Sequence, residues 1–318
     1  MDEPPRYATD TALRATIAER AKRAAAVGPM SAADHIRQFD FSRLLARIFH
    51  PTVADEWILK GGQAALVRIH DARVTRDMDL MSEEADLDAS VSRLATVIRA
   101  DLGDHYDFEL VKVTNKDVKP GQAGVSGRKL SLAVYCGKPR PNITIDLVAE
   151  SALTEAPERA EVDGLRIPGI TPPTVRLYPL VDHIADKVAA THTVHPGGHR
   201  STRIRDMVDL VLFALSQTVD GASLTRALRA RSTRMQHPTS FDAPPEWRDR
   251  YPSQARRLPL LAEHHDFDVA LALLAGFLDP VLTGQVDDSR WDPDARRWAS
   301  GGKPPSQSDS KLENRESL

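Results

Sequence analysis

Residues 59–81 read Leu-Lys-Gly-Gly-Gln-Ala-Ala-Leu-Val-Arg-Ile-His-Asp-Ala-Arg-Val-Thr-Arg-Asp-Met-Asp-Leu-Met. Ile58 and Leu59 close a strand, Gly61 and Gly62 form the turn after it, and 63–69 reads as a helix that starts at that turn. Asp77 and Asp79 lie two apart on the next strand, so both point to one face. Paired carboxylates on a buried face call for a compensating cation. Mg²⁺ takes carboxylate oxygens together with substrate phosphates, and the free N–H groups of a helix start suit a phosphate. The plainer alternatives are a solvated strand end for Asp77 and Asp79, and an ordinary strand-to-helix turn for the glycines.

Upstream, Thr9 or Asp10 caps a helix that runs to Val27 and stops at Gly28-Pro29. A second helix begins at Ser31, with Ile36, Phe39, Phe41, Leu44, Leu45 and Ile48 as its apolar stripe. Downstream, 87–100 is an amphipathic helix, and 108–113 and 129–135 alternate like strands around a Gly- and Lys-rich loop at 116–127. Asn142 to Val148 reads Asn-Ile-Thr-Ile-Asp-Leu-Val, a strand that sets Asp146 between apolar neighbours. An acid there needs Arg, Lys or a metal beside it. A salt bridge is the simple reading for Asp146 alone. On a strand next to Asp77 and Asp79 it becomes a third metal-site carboxylate.

Prolines 168, 172, 173 and 179 mark a linker over 166–179. Beyond it the pattern is helical at 180–190, 202–215, 223–231 and 267–278. Residues 1–8, and the polar tail from Ala299 to Leu318, are expected to be disordered. These features predict an α/β (α+β) chain: a small mixed sheet with N-terminal helices over 1–170, then a helical part over 171–298.

The 318 residues are 41% hydrophobic and 27% charged, the composition of a globular protein. The single Cys136 excludes an internal disulfide and a cysteine-rich zinc site, and reads as an inert core residue. No apolar run has the length of a membrane span. The acidic N-terminus lacks a signal-peptide pattern, so a cytoplasmic location is expected. The net charge of -3 hides an asymmetry: 176–257 holds 13 Lys/Arg against 8 Asp/Glu, a net of +5.

That basic half holds a second cluster. Asp186-Lys187 lies on one helix and Arg203-Ile-Arg-Asp-Met-Val-Asp-Leu on the next, where Arg205, Asp206 and Asp209 share a face. A salt-bridge ladder between packed helices is the plain account. The alternative is a Lys187 ammonium that holds a phosphate as a point charge. His192, His195 and His199, with Arg200, Arg203 and Arg205, suggest an anion-binding edge rather than zinc. Arg226, Arg229, Arg231 and Arg234 extend a basic surface open to RNA.

Taken in order, Leu-Lys-Gly-Gly, then Arg-x-Thr-x-Asp-x-Asp, an acid on a later strand, Ala-Asp-Lys, and Arg-x-Arg-Asp-x-x-Asp-Leu resemble the AbiEii/MenT-type nucleotidyltransferase toxins, a branch of the DNA polymerase β-like superfamily. The likeness covers roughly 30–280 and includes Arg231, His237-Pro238, Pro244-Pro245, Trp247 and Tyr251 in the helical half. It implies a Mg²⁺- or Mn²⁺-dependent enzyme that moves a nucleotide from an NTP to RNA, such as the tRNA 3′ end. It further implies a toxin that blocks translation and has a cognate antitoxin. By position, the resemblance makes Asp77, Asp79 and Asp146 the metal-binding acids and Lys187 and Asp209 later catalytic positions. Lys60, Gly61, Gly62, Gln63, Arg76, Arg205 and Asp206 become nucleotide-binding. Gln63 departs from the Ser or Thr usual after the glycines, which bears on nucleotide choice. Thr75, two residues before Asp77, is a candidate regulatory position, because a phosphate there would place negative charge among the acids. Rival readings are a small-molecule nucleotidyltransferase of the antibiotic-modifying kind and a non-catalytic partner-binding protein on the same fold.

Overall fold

The computed structural model describes residues 7–69, 75–116, 127–149, 152–194, 197–231 and 238–300. Thr9 caps α1 (Asp10–Val27) by accepting from the N–H of Ala12, and Ser31 caps α2 (Ala32–Ile48) by accepting from that of Asp34. Then come β1 (Trp57–Lys60), α3 (Gly61–Arg68), β2 (Asp77–Ser82) and α4 (Leu87–Val97), followed by β3 (Asp107–Lys116), β4 (Gly127–Cys136) and β5 (Lys138–Val148). The short β6 (Glu158–Glu161) and β7 (Thr174–Leu177) complete a seven-stranded sheet of order β3-β4-β5-β2-β1-β7-β6. The β2–β5 and β1–β7 pairs are parallel and the others antiparallel, so the sheet is mixed.

One sheet face is apolar. Leu59, Met78, Leu80, Leu130, Leu132, Ile143, Ile145 and Leu147 join α1, α2 and α4 residues in a continuous core. Cys136 lies in it, and burial pushes its thiol up to about 11, which suits an inert residue. A second core fills the helical half, made of α5 (Leu180–His192), α6 (Ile204–Ser216), α7 (Gly221–Ala230), α8 (Tyr251–Ala255) and α9 (Phe267–Leu282). Helix α3 belongs to both, with Ala64 in the first core and Ala65, with Ile69 just past its end, in the second. The α/β class expected from the sequence is the class observed.

Five expectations are corrected. The proline-marked segment is not a plain linker: β7 crosses it, pairing with β1 and β6. A four-residue strand between prolines has too short a pattern to announce itself, and its partners decide it. The helical half also carries a small sheet of β8 (Val219–Asp220), β9 (Ser289–Asp292) and β10 (Arg297–Ser300). Trp291 anchors it, fully buried against Phe277 and donating from Nε1 to the Ala214 carbonyl. Ala299 and Ser300 therefore sit in a strand, not in a tail. Helix α4 stops at Val97 rather than 100, because Ile98 and Arg99 close its last turn. At the N-terminus, Tyr7 is held at its carbonyl by His105 Nε2 at 2.7 Å. Residues 1–6, 301–318 and most of the 116–127 loop lie outside the described residues.

Under the first core, Asp104 bridges Arg43 (2.9 Å) and Arg47 (2.7 Å), all three buried. Burial pushes the Asp104 carboxyl up, but hydrogen bonding and charge from Arg47, then Arg43, outweigh it and hold it below its ordinary 3.8. A depressed folded value gives stability that is present above 3.8 and lost as pH falls through the folded value. Asp104→Asn leaves two buried guanidiniums uncompensated and should cost about 3–5 kcal/mol near neutrality. Urea unfolding at a series of pH values should then show the variant less stable near neutral pH and flatter than wild type below about pH 4.

Candidate active site

The sheet's second face carries the charges, and strand register places them. Lys60 on β1 opposes Asp79 on β2, Asp79 opposes Asp146 on β5, and Asp146 opposes Lys129 on β4. Directly opposed residues have Cβ atoms about 5 Å apart and share a face. Lys60, Asp79, Asp146 and Lys129 thus form one row across four strands. The row on one side of it is apolar: Ile58, Met81 and Val148, packed with Tyr178. The row on the other side is Asp77, Thr144 and Ser131. Asp77 is exposed at the start of β2, while Asp79 and Asp146 are half-buried.

The glycine turn closes over this row. Gly61 has φ +61°, a left-handed backbone that glycine adopts without penalty. A Cβ there would fall 1.8 Å from Asp79 Oδ2. The turn therefore lies against the carboxylate, and glycine is needed for both backbone and space. At Gly62 a Cβ would fall 2.9 Å from Thr75 Cβ. The Thr75 hydroxyl donates to Asp77 Oδ1 at 2.7 Å and fixes that carboxylate. Thr75 is only 5% exposed, so a modifying enzyme reaches it only if this segment opens. Gln63 is buried in the first turn of α3, and Arg76 is exposed.

Lys60 is held from the helical half. Its Nζ stands 3.9 Å from the centre of the Tyr178 ring and 4.0 Å from Asp186 Oδ2. Burial pushes the Lys60 ammonium below its ordinary value, against the opposing pull of Asp186 and Asp79. Arg231 ties this corner together: it donates to the Tyr178 hydroxyl at 2.8 Å and to Asp186 at 3.1 Å, and pairs with Asp182 at 2.7 Å. Sequence reading missed Tyr178 and Asp182, which carry no motif. It also placed Arg231 on a basic surface, where the structure buries it. Arg231 follows the end of α7 and turns inward, and Arg226 pairs with Glu155. Arg234, His195 and His237 lie outside the described residues.

Lys187 reaches 3.0 Å from Asp206 and 2.6 Å from Asp209, all three buried between α5 and α6. Arg205, expected to share a face with Asp209, is exposed while Asp209 is buried. Burial pulls the Lys187 ammonium down, but the charges of Asp209 and Asp206 outweigh it and leave its affinity for protons raised. Lys187 is one residue past Asp186, which touches Lys60, so the two ionic clusters are consecutive on α5. His192 caps its own helix through the Val188 carbonyl and accepts from the N–H of Asp242.

Among the described residues no three acidic, His or Cys side chains form a ready metal cage. The residues nonetheless fit Mg²⁺, which binds through one or two carboxylates plus substrate phosphates rather than an all-protein cage. Asp79 and Asp146 are adjacent in register and Asp77 shares their face. A separate cavity of about 1300 Å³, lined by Arg43, Asp104, Pro172 and others, includes none of the three.

A family model described as the nucleotidyl transferase AbiEii toxin of a type IV toxin–antitoxin system matches residues 43–273. The chain belongs to this family. AbiEii-family membership makes it a nucleotidyltransferase toxin, and the matched span holds every site residue named above. Among solved structures, MenT4, a nucleotidyltransferase toxin from Mycobacterium tuberculosis, is 19% identical, with 68% of each chain covered and a TM-score of 0.44. JHP933 from Helicobacter pylori is 16% identical, covering 79% of this chain and 92% of its own, with a TM-score of 0.42. No curated protein matches the sequence. No helix of the described residues is long and apolar enough to cross a membrane.

The pairing of Lys187 separates two roles. If its ammonium mainly neutralises Asp206 and Asp209, Lys187→Met should cost about 3–5 kcal/mol in chemical denaturation. A variant that keeps wild-type stability but loses transfer activity would instead place Lys187 on the substrate.

Proposed function

We infer that this AbiEii-family chain transfers a nucleotide from an NTP to the 3′ end of an RNA, with tRNA as the acceptor that would account for toxicity. The observation that carries the reading is the single row Lys60, Asp79 and Asp146, with the Gly61 turn seated on Asp79. A turn that forbids a Cβ leaves backbone N–H groups open at the start of α3, where a triphosphate can approach closely. The Lys60 ammonium, fixed by Tyr178 and Asp186, adds positive charge on the same side.

Asp79 and Asp146, with Asp77, would hold a divalent cation that neutralises the triphosphate and favours ionisation of the acceptor hydroxyl. The acceptor 3′ oxygen forms a bond to the α-phosphorus as the bond from that phosphorus to the bridging oxygen breaks. Pyrophosphate leaves with the electron pair, on the side of Lys60 and the glycine turn. The hydroxyl proton passes to Asp146, the acid farther from that turn. Thr75 contributes by holding Asp77 in one rotamer. The Lys60 ammonium would donate charge-assisted hydrogen bonds to phosphate oxygens. The partner expected of a type IV toxin is an antitoxin, and family membership supports that pairing.

Asp77 is exposed, so its removal leaves the fold standing. Incubation of the protein with total tRNA, Mg²⁺ and each labelled NTP in turn should label tRNA with wild type. Asp77→Ala should lose more than about a hundredfold, beyond what even outer-shell partners of a metal site contribute. A folded Asp77→Ala protein with full activity would overturn the assignment. Metal-dependent NTP binding without labelled RNA would point to another acceptor.

A further inference from the structure

The charged row does not end at Asp146. It continues to Lys129 on β4 and Thr114 on β3, and the neighbouring row runs Asp77, Thr144, Ser131, Lys112. Burial along β4 alternates cleanly, with Leu130, Leu132 and Val134 in the core and Lys129, Ser131 and Ala133 on the site face. Lys129, Lys112 and Thr114 are exposed, and Ser131 and Thr144 are half-buried. The face beyond the carboxylates is therefore a basic, hydroxyl-lined ramp, open to solvent. It has a definite far end. Past Ser131 the face carries Glu109, opposite Ala133, and Asp107, opposite Tyr135, all on the same two strands. From Lys129 to Ala133 is about 13 Å at 3.3 Å per residue, room for one or two backbone phosphates and no more.

In-line transfer fixes which substrate uses which side. The attacking oxygen and the leaving pyrophosphate lie on opposite sides of the α-phosphorus. With the glycine turn and Lys60 on the β1 side of Asp79, the leaving group lies over β1 and the attacking hydroxyl comes from over β5 and β4. The geometry points to Lys129 and Lys112 as the seat of the acceptor: they bind the last one or two phosphates of a single-stranded RNA 3′ end, with Thr114, Ser131 and Thr144 as hydrogen-bonding neighbours. Lys129 lies nearer the reacting hydroxyl, beside Asp146, and Lys112 one row farther out. The acids Asp107 and Glu109 bound the seat and repel a longer backbone run. This rests on the nucleotidyl transfer proposed above and adds the place and length of the acceptor contact.

The test separates acceptor from nucleotide. Full-length wild type, Lys129→Gln, Lys129→Arg and Lys112→Gln are compared for acceptor KM with a tRNA, for the salt dependence of that KM, and for equilibrium binding of a fluorescent NTP with Mg²⁺. Each glutamine substitution is expected to raise the acceptor KM about tenfold. Each should also lower the slope of log affinity against log salt by about 0.7, the share of one phosphate contact on a single strand. NTP binding should stay unchanged, and Lys129→Arg should restore most of the loss. An unchanged acceptor KM and salt slope in Lys129→Gln, with wild type active, overturns the seat. So does a loss of NTP affinity equal to the rise in KM, which would put Lys129 on the nucleotide side. If wild type labels no RNA while binding NTP, the RNA acceptor itself fails, and a small-molecule acceptor replaces it.

Discussion

A strand offers its side chains to two faces in strict alternation, and this chain uses the two faces for opposite purposes. On β2, Met78 and Leu80 go to the core while Asp77 and Asp79 go to the other side. On β5, Ile145 and Leu147 alternate with Thr144 and Asp146 in the same way. Because β2 and β5 are parallel and in register, the acids of the two strands meet instead of being staggered. A slip of one residue between these strands would drive carboxylates into the apolar core and lift leucines into solvent. The core that stabilises the sheet therefore also sets the spacing of the acids.

The charge opposite to the acids is Lys60 on β1, and the helical half holds it in place. Lys60 ends β1, yet Tyr178 at the end of β7 and Asp186 on α5 hold its ammonium. Arg231 holds both of these from the end of α7. Sheet and helices are thus joined by an ionic and aromatic link at Lys60. Helix α3 strengthens the joint, since its first turn frames the site and its flanks enter both cores. Displacement of the helical half would move Lys60 before it disturbed the carboxylates.

Most of the sheet that carries the acids was legible in the sequence, because period-two alternation at 142–148 and Asp-x-Asp after a glycine turn are local signals. The helices of the second half were legible from their apolar stripes, and the caps at Thr9 and Ser31 from residue type. What escaped reading depends on distant partners. Strands β6 and β7 are four residues each and exist through pairing with each other and with β1. Arg231 reads as one more surface arginine until α5 is packed beside it. Tyr178 has no local feature that marks it as the floor under Lys60. The pairing of Lys129 with Asp146 follows from register across a hairpin and appears only once β4 and β5 are aligned.

The absence of a Cβ at Gly61 has a genetic side. Every missense change in the first two bases of a glycine codon introduces a side chain, and here any side chain meets both a left-handed backbone and the Asp79 carboxylate. If the site proposed above performs the transfer, a toxin gene built around such a residue is fragile in one direction: a single base change there would disarm it without touching the residues of either hydrophobic core. A cell that has lost the matching antitoxin would then have an easy route to survival, through a folded and inactive protein.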